Sequence, residues 1–180
     1  MTLRTSRKQV PALFKRVDEK KYEGWTKGTI NLDICGGKFF DGTKYLEDRG
    51  VLNIKYDIGL DTASVVLYLV SQVNVINSAT IANGLNVIPK KSDRIKLLEF
   101  ARDTIFKNGY MLSEYMFFIS ISIYEGNKSG VQSGDQNNMK FEEYIKEIKK
   151  VFGKEYKIVK IGSTSLAIMD KRSNMKGKVL

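Results

Sequence analysis

Short β-rich runs alternate with helical periodicities along almost the whole of this chain, and that alternation constrains the fold more than any other feature. "VPALFKRVDEK" (10–20) reads as an amphipathic helix ahead of the core, and "GTINLDI" (28–34) as a first strand running into Cys-Gly-Gly. "FDGTKYLEDRG" (40–50) is a helix stopped by Gly50, and "VLNIKYD" (51–57) is a second strand that again ends in an acid. "DTASVVLYLVSQVN" (61–74) opens on Asp-Thr capping chemistry and reads as a buried helix, with a strand as the alternative. "NSATIANGLNVI" (77–88) is a strand entering a glycine turn, and residues 90–109 carry a helical stripe that ends in Asn-Gly. "YMFFISISIYEG" (115–126) is apolar enough to be a strand buried on both faces. A polar loop over 127–138, a helix over 140–153 and a hairpin over 156–170 complete the pattern.

The order β-α-β-α-β-α-β-α-ββ requires crossovers, so the expected class is α/β. The architecture is a Rossmann-like three-layer α/β/α sandwich whose mostly parallel sheet closes on a C-terminal antiparallel hairpin. No repeat or Pro-rich linker divides the chain. Residues 1–180 are expected to form a single domain, with 1–27 a basic N-terminal extension and helix and 171–180 a basic, flexible tail.

Composition removes several chemistries. The chain has no histidine, which excludes Ser-His-Asp and Cys-His mechanisms and histidine metal sites. Its single cysteine excludes an internal disulfide and cysteine-rich zinc sites, so no metal is expected, and it suits a cytoplasmic location. No run approaches the roughly 18 apolar residues of a membrane span, and the basic N-terminus lacks a signal-type apolar core. The formal charge of +10 points to a polyanionic partner such as a nucleic acid. Residues 1–28 hold eight basic side chains against three acidic ones, and 171–180 hold four bases and no acid. The competing reading is of solvated, lysine-rich ends. Either a monomer or a homodimer is compatible with the chain.

In such a fold, ligands sit at the carboxyl ends of the strands. A glycine-rich first turn brings them close to backbone N–H groups, and an acid ending the second strand can take both hydroxyls of a ribose. Asp57 follows Asp33 by 24 residues, near the roughly 20 of nucleotide-binding units. That much fits NAD and S-adenosylmethionine alike. The dinucleotide fingerprint G-x-G-x-x-G is absent, because 36–41 reads Gly-Gly-Lys-Phe-Phe-Asp. An acid ahead of the glycines suits a ligand with a cationic amino acid end rather than a pyrophosphate, and the terminal hairpin fits the methyltransferase variant of the sheet.

Four stretches carry a resemblance: "LDICGGKFFDGTKYL", "IKYD", "ATIANGLNVI", and "IYEGNKSG" with the later "QNN". Over about residues 4–170 the chain resembles class I S-adenosylmethionine-dependent methyltransferases. More narrowly, it is similar to small bacterial and phage-type members, mostly of unassigned substrate. The resemblance implies that Asp33 accepts the methionine amino group, directly or through water. It implies that Gly36 and Gly37 admit the methionine end, with Cys35 in the same turn and Lys38 beside it. Asp57 would then hold the ribose, with Tyr56 or Ile58 against the adenine. Asn83 would lie by the transferable methyl group and Asn86 one turn on. The chain departs from the family pattern at Cys35, where glycine is usual, and after Asp57, where a proline and a polar loop are missing.

Methyl transfer from a sulfonium needs positioning more than covalent help, so the lack of histidine is no obstacle. If the acceptor must lose a proton, Glu125, Tyr124 or Asp135 can serve as base. Asn83, Gln136 and Asn137 can hold an acceptor through their amides. The Pro-Cys pair of cytosine-C5 enzymes is absent, as is the Asp/Asn-Pro-Pro-aromatic signature of amino-methylating DNA enzymes, since Pro11 and Pro89 lie elsewhere. Arg7 and Lys8, in "LRTSRKQ", can track a phosphate backbone, which favours a nucleic acid or modified nucleotide as acceptor. Each residue also has a structural alternative. Asp33 and Asp57 can cap helices, Gly36-Gly37 can be only a tight turn, Asn83 can satisfy turn backbone, and Cys35 can simply fill a small space. The alternative functions are a non-catalytic S-adenosylmethionine-binding or regulatory protein on the same fold and an NAD-dependent oxidoreductase.

Overall fold

A computed structural model of the chain describes residues 8–20, 25–57, 68, 70–72, 75–107, 117–125, 137, 139–171 and 178–180. Helix α1 spans Ala12–Glu19, strand β1 Ile30–Ile34, helix α2 Asp41–Glu47, strand β2 Leu52–Tyr56 and strand β3 Ser78–Ala82. A 3-10 turn, Leu85–Val87, leads to helix α3, Lys91–Arg102, which runs on as a π-turn over Asp103–Lys107. Strand β4 (Phe118–Ser122), helix α4 (Phe141–Phe152) and strands β5 (Tyr156–Gly162), β6 (Ser165–Asp170) and β7 (Lys178–Val179) complete the order. The segment 61–74 is described only at residues 68 and 70–72, which are helical. Arg7, Ile58, Asp135 and Gln136 lie outside the described residues.

The seven strands form one sheet in the order β2-β1-β3-β4-β6-β5-β7. β2, β1, β3 and β4 run parallel, and β6, β5 and β7 pair antiparallel. Six of these strands follow the alternation in the sequence, and β7 arises within the segment 171–180 by pairing with β5. All five β4 residues are buried, the apolar Phe118, Ile119 and Ile121 together with Ser120 and Ser122, as expected of a strand covered on both faces. The fold is the three-layer α/β/α arrangement with a terminal antiparallel hairpin.

The two faces of the sheet carry different chemistry. Leu32, Ile34, Ala79, Ile81, Ile119, Ile121, Leu166 and Ile168 pack against α3 and α4 in one large apolar cluster. On the other face α1 brings Leu13, Phe14 and Val17 onto Trp25, Phe118, Ala167 and Met169. The N-terminal helix is therefore part of the core. On that same face, β1 and β3 present Asn31, Asp33, Ser78 and Thr80, all buried, because alternate strand residues point to opposite sides.

Helix α4 forms because Phe141, Tyr144, Ile145, Ile148, Val151 and Phe152 recur at helical spacing and are all buried. Glu142 and Glu143 in its first turn and Lys149 and Lys150 in its last suit the helix dipole, and Gly153 ends it at φ +56°. One ion pair joins α4 to α3. Arg94 donates to both oxygens of Glu147 at 2.8 and 2.7 Å, and to the backbone carbonyls of Ile88 and Pro89 at 2.7 and 2.9 Å. Among the described residues no helix is long and apolar enough to cross a membrane.

With both side chains buried, removing one partner strands the other charge in the core. Glu147→Ala is expected to destabilise the protein by about 3–5 kcal/mol, read by denaturant unfolding. The loss is expected to exceed that from Lys44→Ala, whose pair with Asp48 is solvent-exposed.

Candidate functional site

β1 leads by α2 to β2 on one side, whereas β3 leads by α3 to β4 on the other. The strand order therefore reverses between β1 and β3, which places a crevice at their carboxyl ends. Both strands finish there in an unusual backbone. Cys35, at φ +63°, follows β1, and Asn83, at φ +58°, follows β3. They are the only non-glycine residues with positive φ among those described. Asn tolerates that region, whereas for Cys it costs roughly 1 kcal/mol, a strain of the kind that clusters at ligand sites. The two turns press on each other: a Cβ added at Gly84 would lie 2.7 Å from both Cβ and Sγ of Cys35.

The first turn is fastened to β2. The N–H groups of Cys35 and Gly36 both donate to the Tyr56 carbonyl, at 2.7 and 3.3 Å. The Gly37 N–H donates to Asp57 Oδ2 at 2.8 Å. Gly36 lies directly over the first acid, so that a Cβ there would come within 2.7 Å of Asp33 Oδ2 and collide with the Lys55 side chain. The structure thus brings Asp33, Cys35, Gly36, Gly37 and Asp57 into one cluster. Tyr56 at its edge packs a ring against Phe100, with centroids 5.6 Å apart. Lys38 is exposed beside Phe39, and Phe40 is exposed with Lys55 Nζ over its ring at 3.8 Å.

Both acids are buried, Asp33 at 3% and Asp57 at 2% exposure. Burial pushes the Asp33 carboxyl up to about 7, and the Asp57 charge adds to the rise. The Thr80 hydrogen bond, the Lys55 charge and the Asn53 amide pull the other way. The Cys35 thiol is driven far up, first by burial and then by the charges of Asp57 and Asp33. It stays protonated and fills the space beside Gly84, which agrees with a packing role and not a nucleophilic one.

The remaining candidates lie around the 3-10 turn and the end of β4. The Asn83 N–H donates to the Ser122 carbonyl at 2.9 Å, and the Ser122 hydroxyl donates to Asn83 Oδ1 at 3.1 Å, while the Asn83 side chain faces solvent. Asn86 is buried, and its Oδ1 has no hydrogen-bond partner among the described residues. The Asn86 carbonyl accepts the Asn137 N–H at 2.6 Å, and the Tyr144 hydroxyl donates to the Asn137 carbonyl at 2.7 Å. Tyr124 is partly exposed. Glu125 Oε1 accepts the Phe141 N–H at 2.7 Å, so this carboxylate closes the first turn of α4.

Sequence reading alone missed the polar layer beneath the cluster: Asn31, Asn53, Ser78 and Thr80, with Trp25 behind them. The available signal was polar residues at every second position of strands that otherwise read as buried.

Stability should report the burial of Asp33. In the unfolded chain the group titrates near its ordinary value of 3.8, and in the fold at about 7. Its contribution to folding is thus fully present at low pH and is lost as pH rises through about 7. Asp33→Asn is expected to be more stable than the wild type at about pH 8, by at most about 4 kcal/mol relative to their difference at about pH 4. Thermal melts across that range check it, and parallel curves for the two proteins would contradict it.

No protein-family model matches the chain, and no curated protein matches it in sequence. Among solved structures it is similar to a SAM dependent methyltransferase from Aquifex aeolicus, with a TM-score of 0.53 and 13% identity over 92% of each chain. It is also similar to a protein-(glutamine-N5) methyltransferase (release factor-specific) from Alicyclobacillus acidocaldarius, with a TM-score of 0.48 and 10% identity over 88% of this chain and 90% of that one. At such identity the likeness concerns architecture: the chain has the Rossmann-like α/β fold of the Aquifex methyltransferase.

Proposed function

We propose that this protein is an S-adenosylmethionine-dependent methyltransferase acting on a nucleic acid or modified nucleotide. The observation that carries the reading is the pair of buried acids, Asp33 and Asp57, under a glycine turn at the strand reversal. The donor set fits this cofactor. One carboxylate suits a cationic amino group and a second, already braced by the Gly37 N–H, suits a diol, and only glycine at 36 leaves room over the first.

When bound, S-adenosylmethionine supplies an electrophilic methyl group on a sulfonium. The protein's part is to bind, orient and exclude water. Asp33 accepts the ligand's ammonium group and gives up the proton that burial otherwise favours. Asp57 holds the ribose hydroxyls while bracing the turn through Gly37. Tyr56, backed by Phe100, and Ile58 flank the adenine, and Lys38 stands beside the turn. Asn83 presents its solvent-facing amide to the acceptor. Asn86, Gln136 and Asn137 hold the acceptor through hydrogen bonds, and Glu125, Tyr124 or Asp135 is the base where one is needed. Arg7 and Lys8 of the basic N-terminal arm contact phosphates, and the surplus of positive charge draws in the polyanion. The chain works as one cytoplasmic domain, as a monomer or homodimer.

A second reading, binding without turnover in a regulatory role, is favoured by one observation. The Asp57 carboxylate is already engaged by the Gly37 N–H and almost fully buried.

Calorimetry with S-adenosylmethionine and S-adenosylhomocysteine tests both. Because the ligand needs ionised Asp33, affinity is expected to rise as pH increases through about 7, with proton release on binding, and this dependence is expected to vanish in Asp33→Asn. Asp57→Ala is expected to lose at least about tenfold in affinity, the worth of one charge-assisted hydrogen bond. The pair Arg7→Ala with Lys8→Ala is expected to weaken polyanion binding alone. No binding of either ligand at millimolar concentration would sink the proposal, and binding without methyl transfer to any nucleic acid or nucleotide would favour the regulatory reading.

A further inference from the structure

A line of side-chain hydrogen bonds runs across β3, β1 and β2 beneath the glycine turn. The Trp25 indole N–H donates to Ser78 Oγ at 2.9 Å, and the Ser78 hydroxyl donates to Asn31 Oδ1 at 2.8 Å. Asn31 Nδ2 donates to Asn53 Oδ1 at 2.7 Å and to Thr80 Oγ1 at 3.1 Å. Thr80 Oγ1 donates to Asp33 Oδ1 at 3.1 Å, while Asn53 Nδ2 donates to Thr43 Oγ1 at 2.9 Å and the Asn53 amide favours the ionised form of Asp33. Trp25, Ser78, Asn31, Asn53, Thr80 and Asp33 are all buried.

The direction of every link is fixed by the one before it. An indole N–H can only donate, so Ser78 must accept from it, which commits the single hydroxyl hydrogen of Ser78 to Asn31. With Oδ1 of Asn31 thereby the acceptor, its two amide hydrogens go to Asn53 and Thr80. Thr80 then has only its own hydrogen left for Asp33. The line starts on a group that only donates and ends on one that only accepts when ionised. It is not a proton wire, because the indole and the two amides cannot both take and pass a proton at neutral pH.

We infer that Trp25, Ser78, Asn31 and Thr80 are positioning residues that aim the Thr80 hydroxyl at Asp33 Oδ1, with Asn53 fixing the Asn31 amide, so that the ionised form of Asp33 is held with Oδ2 toward the glycine turn. The geometry agrees at the far end, where Oδ2 is the oxygen that lies against Gly36. The charged and titratable groups facing Asp33 are Lys55 from β2, Asp57 beyond β2 and Cys35 beyond β1, and β3 offers only neutral Thr80. The donors must therefore supply what Lys55 alone does not. The line also makes the binding acid depend on Trp25, a residue of the N-terminal segment held between Phe14 of α1 and Phe118 of β4. The orientation of Asp33 is independent of which ligand binds, although its consequence for cofactor affinity rests on the function proposed above.

The test titrates the Asp33 carboxyl carbon by NMR in the ligand-free protein, with Asp33→Asn identifying the signal. Thr80→Val is expected to raise the Asp33 midpoint by roughly half a pH unit or more, and Thr80→Ser to return it to the wild-type value. Ser78→Ala, which touches Asp33 nowhere, is expected to move it in the same direction by a smaller amount, and Trp25→Phe to do likewise. Thermal melts accompany each variant, and Ser78→Ala carries the test if Trp25→Phe does not fold. A midpoint that moves in Thr80→Val but not in Ser78→Ala would overturn the line, leaving a single local contact. No movement in either would overturn it altogether. Either result holds whether or not S-adenosylmethionine binds, since binding is measured separately by calorimetry.

Discussion

The burial of the Asp33 carboxyl is the constraint from which the rest of the site follows. An acid taken out of water at the end of a central parallel strand must either stay protonated or be met by donors, because an isolated charge in such surroundings costs several kcal/mol. The chain does part of each. Its carboxyl is held near the middle of the pH scale, and Thr80, Asn53 and Lys55 supply the compensating polarity. That polarity has to come from β2 and β3, which flank β1, and this explains why buried strands carry Asn and Thr where apolar residues would pack as well.

The same acid dictates the backbone above it. Room over Asp33 Oδ2 exists only because residue 36 has no Cβ. The turn's remaining N–H groups are taken up by the Tyr56 carbonyl and by Asp57, so that little of its polar backbone is left unpaired despite burial. The left-handed Cys35 and Asn83 let β1 and β3 turn away in opposite directions at the same level, with Gly84 allowing the two turns to touch. Strain, glycine and buried charge are in this way concentrated at one end of one strand pair.

The opposite face of the sheet carries the residues proposed to meet the acceptor. Arg94 links α3, α4 and the Ile88–Pro89 backbone. Tyr144 on α4 holds Asn137, and Asn137 holds Asn86. Glu125 fixes the start of α4 to the end of β4. The two halves of the candidate site thus rest on different layers, one on the polar network under β1 and the other on the α3–α4 ion pair.

The sequence by itself determined the element order, because hydrophobic period and turn residues are local properties of the chain. It also marked the glycine turn and its two acids, since a strand that ends in Asp before Gly-Gly is a local pattern. Six strands and the helices at 12–19, 41–47, 91–102 and 141–152 were legible in this way. Other features depend on which strands become neighbours, and no local pattern carries that. Pairing with β5 made a strand of residues 178–179. The meeting of β1 with β3 put Thr80 against Asp33 and Gly84 against Cys35. Glu125 reads in the sequence as a candidate base, and the approach of α4 gives its carboxylate a backbone amide to hold. Tertiary structure alone decided which polar residues face one another across the sheet, and hence which acid is buried, oriented and shifted, because desolvation and hydrogen bonding are set by neighbours in space rather than along the chain.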